Sequence, residues 1–108
     1  MSKSSLVFNP IFSKTFSKQL TKIRDKLRIT RIKQKTDEII IQPYRNIEFG
    51  AGAYRGKRKD RIGEDRIIFT VCKQCRIEGH IKYNNCDNCN LIPDETVRFW
   101  EIVEGHKY

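Results

Sequence analysis

Four cysteines and a run of alternating cations are the residues of this chain best equipped for chemistry. The cysteines stand as Cys72-Lys-Gln-Cys75 and Cys86-Asp-Asn-Cys89, with ten residues between the pairs. Two CxxC pairs supply four thiolates at the reach of a tetrahedral zinc ion, each pair bending in a tight knuckle. Four protein ligands leave no open position, so such a zinc is structural and staples a loop. His80 and His106 are then not needed as ligands. Two disulfides or another soft metal are the competing uses of the same quartet.

The cations lie just upstream. On a strand, Arg55, Lys57, Lys59 and Arg61 share one face, while Gly56, Arg58, Asp60 and Ile62 take the other. Side chains two apart on a strand are about 7 Å apart, so four like charges repel one another. A bound phosphate backbone relieves that repulsion. The bland alternative is an edge strand guarded by charge against aggregation. Arg55, Lys57, Arg58, Lys59, Arg61 and Arg66 form the expected nucleic-acid-binding set.

Elements must hold these groups in place. Ser5-Leu6-Val7-Phe8 reads as a short strand ended by Asn9-Pro10, with Pro10 in the first turn of a helix. Phe12, Phe16, Leu20, Ile23 and Leu27 recur at helical intervals, with Lys14, Lys18, Lys22 and Lys26 off the apolar stripe. A second helix is expected over about Arg31–Ile41, with Ile32, Thr36, Ile39 and Ile40 inward and Pro43 ending it. Asn46–Ala53 reads as a loop. From Tyr54 the period changes to two, predicting strands at Tyr54–Ile62, Asp65–Cys72 and Thr96–Gly105. Gly63-Glu64 joins the first two as an antiparallel hairpin. Alternation sends one of Phe99 and Trp100 inward, and Trp100 reads as core rather than as a platform for stacked bases. The fold class is α+β. An N-terminal strand and helix hairpin pack on a small twisted antiparallel sheet, with the four-cysteine zinc loop between two C-terminal strands.

At 108 residues, one domain over 1–108 is expected, including a zinc-binding insertion at 72–89. The 22 Lys and Arg exceed the 13 Asp and Glu, for a net charge of +9. Residues 1–61 carry 16 basic and 5 acidic side chains, against 6 and 8 in residues 62–108. That asymmetry points to a polyanion-binding half rather than uniform solubilising charge. The longest apolar run, Ile39-Ile40-Ile41, cannot span a membrane, and the opening Met1-Ser2-Lys3-Ser4-Ser5 leads into no signal peptide. A cytoplasmic location without membrane partners is expected.

The segment Lys57-Arg-Lys59-Asp-Arg61-Ile-Gly63-Glu-Asp-Arg66-Ile-Ile-Phe69, set behind a strand and a helix hairpin, resembles the RelE/ParE superfamily of toxin–antitoxin toxins. The ending Val103-Glu-Gly105-His106-Lys107-Tyr108 is similar to the last strand of that family. The resemblance implies a ribosome-dependent endoribonuclease (an mRNA interferase) that inhibits translation by cutting mRNA in the ribosomal A site. It also implies silencing by a protein antitoxin, acidic and partly disordered. The family positions fall on Lys57, Lys59, Arg66 and Lys107. The reaction, 2′-OH attack on the adjacent phosphate, needs a base, cations for the developing charge and an acid. Lys59, crowded by cations, is the candidate base. Arg66 and Lys107 stabilise the phosphate, and Lys57 positions it. His106 is an alternative base or acid, and Tyr108 an alternative acid. Two other classes fit the same charge and cysteines: a zinc-stapled nucleic-acid-binding module without chemistry, and a toxin directed at DNA gyrase.

Overall fold

The computed structural model describes residues 7–45, 56–78 and 91–104. Four strands and three helices follow in the order β1 (Asn9–Phe12), α1 (Lys14–Lys22), α2 (Lys26–Ile41), β2 (Arg58–Ile62), β3 (Asp65–Val71), α3 (Cys72–Ile77) and β4 (Thr96–Glu104). The sheet order is β1-β4-β3-β2. β2, β3 and β4 are antiparallel, as alternation predicts, but β1 runs parallel to β4, from Asn9 opposite Thr96 to Phe12 opposite Phe99. The sheet is therefore mixed, which corrects the expectation of a wholly antiparallel one.

The first strand also begins later than expected. Asn9 N–H donates to Glu95 O at 2.9 Å, so the next nitrogen, that of Pro10, faces away from β4. On an edge strand the missing N–H then breaks no ladder bond, and Pro10 sits in β1 rather than in a helix. Ser13 starts α1 instead, its hydroxyl accepting from Phe16 N–H at 3.0 Å. Phe12 stays in the strand and stacks on Phe99, with ring centroids 5.0 Å apart.

The apolar stripe from Phe12 to Leu27 is not one helix. Ile23 leaves helical geometry at ψ 126°, and Asp25 caps a new helix by accepting from Leu27 and Arg28 N–H at 3.0 and 3.3 Å. Leu27 is exposed as a result. The second helix then runs further back than expected, while its predicted inner face holds: Ile32, Thr36 and Ile39 are buried. Both helices cover one side of the sheet. Phe16, Ile32 and Ile39 pack there with Ile67, Phe69, Val71, Val97, Phe99 and Ile102.

Beyond Phe99, β1 no longer pairs with β4, and α1 takes over that edge. Ser13 Oγ donates to Trp100 O at 2.5 Å, and Gln19 Oε1 accepts from Ile102 N–H at 2.6 Å. These bonds satisfy backbone groups that an open edge would leave unpaired. The predicted hairpin is present, with Gly63 at φ 57°, the left-handed conformation glycine adopts without strain. No helix among the described residues is long and apolar enough to cross a membrane.

Candidate nucleic-acid interface

The side of the sheet away from the helices is the candidate site. Cross-strand partners share a face, so the pairing register assigns each side chain. Arg58, Asp60 and Ile62 lie opposite Phe69, Ile67 and Asp65 on the helix side. Lys59 lies opposite Ile68, and Arg61 opposite Arg66, on the outer side. Arg66 is also opposite Val103 of β4, which places it between the two neighbouring strands. Lys57 joins the same face: its Nζ stands 5.1 Å from the centre of the Trp100 ring. Four of the six predicted phosphate-binding residues, Lys57, Lys59, Arg61 and Arg66, thus gather on one surface.

Arg58 does not. It is 5% exposed and points to the helix side, where its Nε donates to Gln74 Oε1 at 2.6 Å. Its guanidinium also lies 5.3 Å from the Tyr44 ring centre. Burial pushes its pKa down from the usual arginine value. The residue ties β2 to α3, which corrects its assignment to the phosphate-binding set. Arg55, His106, Lys107 and Tyr108 lie outside the described residues.

Two residues of this face are absent from the predicted set. Arg98 is opposite Thr70 across β3–β4 and therefore outward, and Trp100 stands beside it at the irregularity between Ile68 and Phe69. The indole N–H of Trp100 donates to Thr70 Oγ1 at 3.0 Å. Trp100 is half-buried, whereas Phe99 is the member of the pair that fills the core, so the expectation of Trp100 as core is corrected. The sequence does carry a signal for Arg98: it alternates with Val97 and Phe99 just as Lys59 and Arg61 alternate with Arg58 and Asp60.

The cysteine connection runs from β3 to β4, as expected. Its first pair does not form an isolated knuckle, because Cys72 and Cys75 lie on the short helix α3, both buried. Cys86 and Cys89 lie outside the described residues. Both ends of the connection are tied together. Arg76 pairs with Asp94 at 2.6 Å and also donates to Ile92 O, while Lys73 N–H donates to Asp94 O at 3.2 Å. Among the described residues no three ligating side chains come together.

The sequence matches no family model and no curated protein. Among solved structures, a chain of the toxin–antitoxin complex RelBE2 from Mycobacterium tuberculosis superposes with a TM-score of 0.64 at 12% identity. The match covers 95% of this chain and 97% of that one. The chain has a RelE-like fold. At that identity the likeness concerns the path of the backbone, and the chemistry must be argued from the side chains.

Within this RelE-like fold, Asp65, immediately before Arg66, faces the helix layer. Arg28 reaches it with two parallel bonds, Nε to Oδ2 at 2.8 Å and Nη2 to Oδ1 at 2.9 Å. The hydrogen bond to Asp65 raises the Arg28 pKa above its usual value. A cleft of about 460 Å³ opens beside this pair, lined by Asp25, Glu64 and Glu104 as well as Arg28 and Arg31. Its carboxylates make it unsuited to a polyanion, so the pair is read as a latch between α2 and the hairpin. A double-mutant cycle with Arg28→Ala and Asp65→Ala, read by urea unfolding, is expected to give a coupling of about 1 kcal/mol. Zero coupling would reduce the latch to a passive contact.

Proposed function

We propose that this protein is a RelE-like toxin: a cytoplasmic, ribosome-dependent endoribonuclease that cuts mRNA in the ribosomal A site and is held inactive by a protein antitoxin. The observation that carries this reading is the gathering of Lys57, Lys59, Arg61 and Arg66 on the outer face of a RelE-like sheet. A complex of toxin and antitoxin as the structural neighbour supports the protein partner. An acidic, partly disordered antitoxin complements the net charge of +9.

In this reaction the 2′-hydroxyl attacks the adjacent phosphorus, the bond to the 5′ oxygen breaks, and the products are a 2′,3′-cyclic phosphate and a 5′-hydroxyl. Lys59 takes the proton of the 2′-OH, Lys57 positions the phosphate, and Arg66 stabilises the charge that grows on its oxygens. Lys107 adds a second cation there, and His106 or Tyr108 returns a proton to the leaving oxygen. Cys72, Cys75, Cys86 and Cys89 hold a structural zinc ion. Burial of the first two thiols on α3, beside the tied ends of the connection, suits a site that fastens a loop rather than one open to substrate.

The test is primer extension on an mRNA under translation in a reconstituted system, comparing wild type with Lys59→Ala/Arg66→Ala. Discrete cuts in the A-site codon that vanish in the double variant are expected. Intact mRNA alongside folded protein that still binds RNA would replace the nuclease by a binding module.

A further inference from the structure

We propose that Arg98, Trp100 and Lys57 form a second phosphate subsite, which grips a nucleotide next to the one that is cut. The inference rests on the nuclease reading above and extends it to a row of residues which that reading does not use. Arg98 and Lys57 approach the same indole: the guanidinium carbon is 5.5 Å and the ammonium nitrogen 5.1 Å from its centre. Their charges are therefore no more than about 11 Å apart and repel. The electron-rich ring face holds each cation but does not neutralise it. A phosphate between them does.

Two further observations point to an anionic ligand. Among the described residues nothing accepts a hydrogen bond from the Nε of Arg98, although that atom is buried. A guanidinium N–H enclosed without an acceptor is a donor waiting for one. Trp100 is also fixed rather than loose, since its N–H is engaged by Thr70 Oγ1. Trp100 thus acts as a positioning residue, a platform that holds the two cations at the height of the sheet surface. The carboxylate on this face is Glu101, which lies opposite Ile68 in the next row, with Lys59 on the far side of Ile68. Thr70 alone separates Arg98 from the Lys57 side of the sheet, and the next rows lead to Lys59 and then to Arg61 and Arg66. Successive rows are about 7 Å apart, so the subsite lies one step along the strand from the candidate base.

Trp100 is the sole tryptophan of the chain, so its emission reports on this subsite alone. The experiment titrates wild type and variants with a 2′-O-methyl RNA hexamer, which cannot be cut, and reads Trp emission and the anisotropy of a dye on the RNA. Wild type is expected to show a saturable emission change that follows the anisotropy. Arg98→Gln is expected to bind about tenfold more weakly, with the slope of log K against log salt reduced by about 0.7, one phosphate contact on a single strand. Arg98→Lys restores the slope, and Trp100→Phe keeps most of the affinity while Trp100→Leu does not. Circular dichroism melts confirm that each variant is folded. Arg98→Gln with wild-type affinity and slope would overturn the subsite. Binding seen by anisotropy without any change in Trp emission would also overturn it, leaving the nuclease reading intact. Loss of all RNA binding by wild type would overturn both.

Discussion

Chelating zinc under reducing conditions is expected to lower the melting temperature by about 10–20 °C. Cross-linking a chain segment as long as that from Cys72 to Cys89 removes loop entropy from the unfolded state worth about 3 kcal/mol. In a domain of this size each kcal/mol moves the midpoint by about 4–8 °C. Two features decide where in the range the effect falls. The main core, from Phe16 to Ile102, is built without the cysteines, so the protein does not unfold outright as a zinc finger does. The contacts of Arg76 and Lys73 with Asp94 also keep part of the connection closed when metal is absent. Against this, Cys72 and Cys75 are 5% and 4% exposed, so losing their shared ligand disturbs packed surroundings. Calorimetry with and without chelator, beside elemental analysis of the purified protein, measures both quantities. Cys72→Ser should reproduce the shift without chelator. Protein that contains no zinc and melts alike in both buffers would rule out the structural-metal proposal.

How far the residues announce the architecture depends on the range of the interaction involved. The inner face of α2 and the hairpin at Gly63-Glu64 follow from local period and turn chemistry, and both appear as expected. The stripe from Phe12 to Leu27 misleads because helical spacing persists across a break. The Asp25 cap is visible in the sequence, but five apolar residues in register outweigh it. Pro10 satisfies two rules at once, helix start and edge strand, and only the pairing of Asn9 with Thr96 decides between them. That pairing joins residues at opposite ends of the chain in a parallel register, which no local pattern encodes. The same holds at the site. The alternation of Lys57, Lys59 and Arg61 is legible on one strand, and Arg58 is exceptional only in what Gln74 and Tyr44 offer it. The place of Arg98 beside those cations requires the sheet order β1-β4-β3-β2.

Arg66→Ala is expected to slow cleavage by about 10²–10³ at saturating ribosome–mRNA complex, while weakening RNA binding less than about tenfold. The asymmetry follows from where the charge develops. The phosphate already carries its negative charge in the ground state, and Arg66 meets that charge equally before and during reaction. Attack by the 2′ oxygen adds charge to the non-bridging oxygens, and only contacts that strengthen at that point raise the rate. A planar guanidinium can hold two of those oxygens at once, so Arg66→Lys keeps the charge but loses the fork, and should fall between wild type and alanine. Lys59→Ala removes the proton acceptor instead. Its loss is expected to reach about 10²–10⁴ and to flatten the dependence of rate on pH, which Arg66→Ala leaves in shape. Single-turnover cleavage across pH, with binding measured on uncuttable RNA, separates the two roles. Equal losses of rate and affinity in both variants would mean that these cations merely hold RNA, and the base would then have to be sought elsewhere on this face. Arg98→Gln gives the internal contrast: a contact to a neighbouring phosphate weakens binding and leaves the saturated rate where it was.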